Sequence, residues 1–144
     1  MNAIEPQSKP SSLIAELESI HLKAENLAIA SPVGFHIESR VLAVLEELGV
    51  ASAEIDSVVF PDGRPDALRT ASELSAAHSD RACRLARVVN FAEQVFDNHQ
   101  KAFLWLRAPN SQLMNRSPLD CLATETGAKA VEELLARIDF GMAA

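Results

Sequence analysis

Leu85, Val89, Ala92 and Phe96 recur at spacings of four, three and four, the period of one helix face and one that a strand cannot bury. The same period returns in Ile37, Val41, Val44, Leu45 and Leu48, with Glu38, Glu46 and Glu47 off the stripe, and again in Val131, Leu134, Leu135 and Ile138. Strand-like alternation is absent throughout. The apolar filler is Ala and Leu, with six Phe, one Trp and no Tyr, a balance that favours helix over sheet. The expectation is an all-α fold: an N-terminal helical bundle with a helix-turn-helix-like arrangement, then a small helical C-terminal domain. At 144 residues and 48% hydrophobic, the chain can bury a sizeable core.

Punctuation residues place the elements. Two prolines and no apolar period make residues 1–11 a loose tail. Ser12 suits the cap of a helix carrying Leu13, Ile14, Leu17 and Ile20, and Ser31-Pro32 and Gly34 interrupt it. Gly49 stands where a left-handed C-cap belongs, Ser52 reads as the cap of a short helix with Ile55, Val58 and Val59, and Pro61-Asp62-Gly63 is a turn. Pro65 suits the first position of a helix to about Glu73. Helix 35–48, helix 53–59, a tight turn and helix 65–73 together have the order of a helix-turn-helix. Ser75 opens the longest helix, 76–96; Asp97 reads as the cap of the next, which Pro109-Asn110 ends. Ser117-Pro118 starts a short helical turn, and Thr126 caps a last helix that Gly141 terminates.

Charge is divided unevenly. Of the 20 acidic and 13 basic side chains, residues 1–80 hold thirteen acids against five bases, whereas residues 81–144 hold seven against eight. The first half as a whole repels a polyanion. The apolar runs are too short to span a membrane and no leader precedes the first helix, so the expectation is a cytoplasmic protein. Cys83 and Cys121 have no paired spacing and suit reduced thiols. His21, His36, His78 and His99 are scattered without metal-ligand spacing, so no metal site is expected. No Gly-rich phosphate loop, nucleophile elbow or Cys–His pairing is present, and Glu46-Glu47 and Glu132-Glu133 read as polar helix faces rather than catalytic carboxylates. Neither an enzymatic activity nor a cofactor is expected.

The C-terminal half carries a longer pattern. Ala92-Glu93-Gln94-Val95-Phe96 is followed by Ala102-Phe103-Leu104-Trp105-Leu106, Arg107-Ala108-Pro109-Asn110 and Leu113. Arg116-Ser117-Pro118-Leu119-Asp120, Thr126-Gly127-Ala128, Val131 and Leu134-Leu135-Ala136-Arg137-Ile138-Asp139-Phe140-Gly141 complete it. Over about residues 85–144 this string resembles the toxin-binding domain of the Xre/MbcA/ParS antitoxins. The resemblance implies a type II antitoxin whose C-terminal domain inhibits a RES-type toxin, a small NAD-consuming or ADP-ribosylating enzyme. It also implies an Xre-like helix-turn-helix upstream, dividing the chain into tail 1–11, helix-turn-helix and dimerisation half 12–80, and toxin-binding half 81–144. The reading helix departs from the family pattern: Arg64-Pro65-Asp66-Ala67-Leu68-Arg69 stands where a Thr-Leu and paired arginines are usual. Only Arg69, and loosely Arg64, keep a DNA-contacting character, and Asp66 sets a negative charge where phosphate would approach.

The candidate toxin-binding residues are Trp105, Arg107, Pro109, Asn110, Leu113, Arg137, Phe140, Gly141, Met142, Ala143 and Ala144. Trp105 reads either as a core anchor or as a partly exposed interface aromatic, and Pro109-Asn110 and Ser117-Pro118 also serve as plain helix stop and start signals. The tail from Phe140 is either a frayed end or an element reaching into the toxin's NAD cleft, its carboxylate in a phosphate subsite. Arg81, Arg84 and Arg87 read as a solvated face pairing with acids of the first half, or as a patch facing DNA or toxin. Leu13, Leu17 and Ile20, with the apolar face of 37–48, are the candidate dimerisation residues, giving a homodimer within a hetero-oligomeric complex, and Arg64 and Arg69 the candidate operator contacts. The rival reading is a stand-alone helix-turn-helix transcriptional regulator whose C-terminal domain only dimerises.

Overall fold

Residues 15, 19, 39–64 and 74–143 are described by the structure, a computed structural model, with 142 and 143 described by their backbone alone. The expected stripe of Leu85, Val89 and Ala92 is buried along one long helix, with Phe96 half-buried at its end. The order is α1 (Arg40–Leu48), α2 (Ser52–Val59), α3 (Ala76–Phe96), α4 (His99–Arg107), the 3₁₀ turns η1 (Ser111–Leu113) and η2 (Leu119–Ala123), and α5 (Glu125–Ala143). The described residues form no strand, and their one β-bridge joins Asn110 to Arg116. The fold class is all-α.

Helix α3 is the centre: it packs against α1, α2, α4, η2 and α5. A single cluster of buried side chains runs from Val41 to Leu135, with Leu45, Ile55, Leu85, Leu106, Leu122 and Leu135 fully enclosed. Each such side chain contributes about 1.5–3 kcal/mol through its removal from water. The expected boundary at 80/81 falls inside α3, so one helix serves both sides of it.

The helix ends follow local chemistry, with four departures from the sequence reading. Gly49 takes φ +124° and closes α1 as expected, its N–H donating to the Glu46 carbonyl at 3.1 Å. Ser75 caps α3 by accepting from His78 N at 3.2 Å, and the turn at Pro61-Asp62-Gly63 closes through Gly63 N to Phe60 O at 2.9 Å. Ser52, however, is the first residue of α2 rather than its cap; Glu54 reaches back to accept from Ala51 N at 2.8 Å. Asp97 adopts a left-handed C-cap conformation ending α3, and its neighbour Asn98 caps α4 by accepting from Lys101 N at 2.9 Å. Thr124 rather than Thr126 caps α5, accepting from Gly127 N at 3.1 Å. Gly141 does not terminate α5, which runs on to Ala143. Residue types alone place a cap within a residue or two; the neighbour that reaches an orphan N–H decides it. Leu13, Leu17, Ile20, Arg69 and the expected helix over 65–73 lie outside the described residues, and of the expected dimer face over 37–48 Val41, Val44, Leu45 and Leu48 are buried in the chain's own core.

One glycine is required by packing. A Cβ on Gly127 would lie 2.0 Å from the Cys121 carbonyl oxygen, because the first turn of α5 sits directly on η2. Gly127→Ala should therefore destabilise the fold by about 3 kcal/mol, the upper end of the range for overpacking. Gly141→Ala, where a Cβ meets nothing within 4 Å, should stabilise α5 by about 0.5–1 kcal/mol through helix propensity. Urea denaturation of both variants checks the pair, and a Gly127→Ala midpoint equal to the parent's would refute the packing account.

Candidate functional site

Helix α4 buries Ala102, Phe103 and Leu106, which turns Leu104 outward. His99, Gln100, Phe103, Leu104 and Arg107 line an open groove of about 420 Å³ along this helix. His99 anchors its first turn: the ring nitrogen Nδ1 lies 2.6 Å from the buried Glu93 carboxylate, and the ring packs 4.8 Å from Phe103. The same ring sits against Gly49, where a Cβ would meet it at 3.1 Å. The positive-φ glycine thus closes α1 and admits the histidine.

Arg107, one of the candidate toxin contacts, stands at the other end of α4 and is engaged within the chain. Nε donates to Glu54 Oε2 at 2.8 Å, and Nη2 donates to Glu54 Oε1 at 3.0 Å and to the Gly49 carbonyl at 2.8 Å. The guanidinium lies 4.8 Å from the centre of the Phe103 ring, within cation–π range. A bidentate pair of this kind fixes geometry as well as charge. The Arg107 hydrogen bond holds the Glu54 carboxyl below its ordinary range; partial burial opposes this, and the Ala51 N–H assists it. Arg107 therefore ties α4 to the α1–α2 turn.

The other candidates divide by exposure. Trp105 is half-buried with its ring centre 5.9 Å from that of Phe96, so it anchors the core and keeps an exposed edge. Pro109 is exposed, and Asn110 organises the loop that follows by accepting from Gln112 N through Oδ1 at 2.9 Å. Leu113 is buried, unlike an interface residue of the free chain, because it plugs that loop into the core. Arg137 donates to Gln112 Oε1 at 3.1 Å across to the loop. Gly141 is exposed within α5; the side chains of Met142 and Ala143, and all of Ala144, lie outside the described residues.

The arginines of α3 do not form the solvated face expected of them. Arg84 is buried, donating to the carbonyls of Leu122 and Ala123 at 3.3 Å and pairing with Asp80 at 2.6 Å. Arg87 pairs with Glu132 at 2.9 Å. Apart from Asp80, their partners belong to the second half, because α5 packs along α3. Arg64 donates to Asp56 at 2.6 and 2.9 Å and lies over the Phe60 ring. Among the described residues no group of His, Cys, Asp and Glu could hold a metal, and no helix is long and apolar enough to cross a membrane. Cys83 and Cys121 are buried free thiols.

Residues 91–141 match the family model described as the antitoxin Xre/MbcA/ParS C-terminal toxin-binding domain. Through these residues the chain belongs to the Xre/MbcA/ParS antitoxin family. It is 32% identical over 101 residues to a protein named Antitoxin Xre from Pseudomonas putida, a stretch covering 69% of this chain and 64% of that protein. It is 31% identical over 100 residues to an Antitoxin Xre from Yersinia enterocolitica, covering 69% of this chain and 62% of that one. The chain thus spans somewhat less than two thirds of the curated relatives it matches.

Three large hydrophobic side chains are exposed among the described residues: Leu104 at 71%, Met114 at 83% and Phe140 at 81%. All three lie within the family domain. Phe140 was singled out from the sequence; Leu104 and Met114 were not. Leu104 was legible, since it falls off the α4 stripe of Ala102, Phe103 and Leu106, whereas Met114 sits in a loop with no period to expose it.

The Arg107–Glu54 pair is open to measurement. A double-mutant cycle with Arg107→Ala and Glu54→Ala should give a coupling of about 0.5–1 kcal/mol, the range of partly exposed pairs. The folded pKa of Glu54 is depressed, so this coupling is fully present above the unfolded carboxyl value (about 4.3) and is lost as pH falls through the folded value. A cycle that reads zero at pH 7, or a coupling that grows on acidification, would show that the pair contributes nothing.

Proposed function

We propose that the chain is a non-catalytic antitoxin that binds a RES-type, NAD-consuming or ADP-ribosylating toxin and inhibits it by covering the NAD site with its C-terminal domain. The observation that carries this reading is that, among the described residues, the exposed large hydrophobics, Leu104, Met114 and Phe140, all fall within residues 91–141. Their place in a stretch that matches a toxin-binding domain supports reading them as contacts for a protein partner. Phe140 and the last turn of α5 are the elements we place over the cleft, with Pro109, Asn110 and Arg137 around them and Trp105 contributing its exposed edge. Inhibition of this kind needs no chemistry from the antitoxin, only bulk and desolvation at the mouth of a substrate site.

The first half scaffolds the complex in this reading. Leu13, Leu17 and Ile20 supply a homodimer contact, so that the assembly with toxin is hetero-oligomeric, and operator binding through Arg64 and Arg69 is a secondary activity. The Asp56 carboxylate engages Arg64 and leaves it less charge to offer phosphate. That contact favours protein–protein inhibition over the alternative, a stand-alone transcriptional regulator. The family match to a toxin-binding domain favours it too.

Mixing the purified chain with the product of the neighbouring toxin reading frame should form a complex and suppress NAD consumption in proportion to the antitoxin added. Phe140→Asp, which charges an exposed contact, should weaken inhibition at least tenfold, about 1.4 kcal/mol, with the melting temperature unchanged. Ending the chain after Phe140 tests residues 141–144 separately and should also weaken inhibition. Absence of any complex at micromolar concentration would overturn the antitoxin reading, and full inhibition by the shortened chain would remove the tail from it.

A further inference from the structure

The segment Pro109–Arg116 links α4 to the turn preceding η2, and its backbone is unusually constrained. Asn110 N donates to Arg116 O at 3.0 Å across the base. The Asn110 carbonyl accepts from both Leu113 N and Asn115 N at 2.9 Å, its side chain accepts from Gln112 N at 2.9 Å, and Arg116 N returns to Leu113 O at 3.1 Å. Leu113 is buried beneath the loop, and Arg137 of α5 holds Gln112 from the side. Bonds within the loop, a buried plug and a tether to α5 therefore determine its shape before any partner arrives.

At the tip two successive residues, Met114 and Asn115, adopt the left-handed conformation, with φ of 58° and 64°. Asn tolerates this region through local hydrogen bonding; Met has no such compensation. Strain of this kind persists where the surroundings over-determine it, and it concentrates at binding sites. The Met114 side chain is 83% exposed, so burial in the free chain does not offset the strain.

We propose that Met114 is a toxin-contacting residue, held outward by this loop and seated in an apolar depression of the cognate toxin; the proposal rests on the antitoxin reading above. The occupant follows from position and chemistry. Met114 lies inside the stretch that matches a toxin-binding domain. The Arg137–Gln112 contact sets the loop beside α5, and Phe140 follows Arg137 by three residues, less than one helical turn. An unbranched, uncharged thioether conforms to irregular apolar pockets and offers nothing to phosphate, which selects a protein surface over nucleic acid. A loop already in its bound shape also loses little conformational freedom on association.

Two variants separate the side chain from the backbone. Met114→Gly removes the thioether and relieves the strain, while Met114→Asn retains a residue suited to the left-handed region and replaces the apolar group with a polar one. Both should fold, with Met114→Gly melting at or above the parent temperature. Both should bind the purified product of the neighbouring toxin reading frame at least tenfold more weakly by calorimetric titration. The ε-methyl signal of Met114, one of three methionines, should shift when that toxin is added to the ¹³C-methyl-labelled parent. Parent binding with unchanged affinity in both variants overturns the role of Met114 and leaves the antitoxin reading standing. Weaker variants with an unmoved methyl signal in the parent complex also overturn it, since the loss then comes from the loop backbone. Failure of the parent itself to bind overturns both readings together.

Discussion

Enclosing α3 on nearly every side is the constraint on which the rest of the structure depends. Its small residues Ser79, Ala82, Ala86 and Ala92 are buried among larger ones, and they let neighbouring helices approach closely. Close approach also brings two charges out of water, Arg84 and Glu93, and each must then find partners. Arg84 finds them in the carbonyls of η2 and in Asp80; Glu93 finds His99. These pairings orient the elements around α3: η2 and the start of α5 are held over Arg84, and the start of α4 is held over Glu93. Gly127 belongs to the same constraint, since only a residue without Cβ allows α5 to lie on η2 at that distance.

The two halves of the chain are joined by a second polar connection, outside this core. Gly49, Glu54, Phe103 and Arg107 form one unit in which a C-capping glycine offers its carbonyl, a back-reaching carboxylate takes a bidentate pair, and an aromatic ring supports the guanidinium. Arg107 carries a charge on the surface of the family domain, yet its hydrogen-bonding capacity is turned toward α1 and α2. The large apolar side chains that the same domain leaves exposed are Leu104, Met114 and Phe140, displayed from a helix, a strained loop and the end of α5.

The all-α class, the long central helix, the Gly49 and Ser75 caps and the Pro61-Asp62-Gly63 turn were legible because each rests on local geometry: period, capping chemistry and φ preference act within four or five residues. Caps at Asn98 and Thr124 were misplaced by one or two residues, since Asp97, Asn98, Thr124 and Thr126 have nearly equal capping propensity and only the approach of one N–H separates them. The family resemblance in the second half was also legible, because it spreads over several fixed spacings. Arg84 was misread because its burial rests on the carbonyls of Leu122 and Ala123, 38 and 39 residues away. The tie of Arg107 to Glu54 spans 53 residues and likewise leaves no local signal.

By itself, then, the sequence determined what depends on neighbours along the chain: helices, their breaks, the uneven charge and the family pattern of the C-terminal half. Tertiary structure alone decided which polar groups are used up internally and, at Leu113 and Met114, which apolar loop residue is buried and which remains on view. That division follows from desolvation, which acts on what surrounds a side chain in space. Packing α4 and α5 against α3 buried Leu113 and engaged Arg107, and it left Leu104, Met114 and Phe140 facing outward.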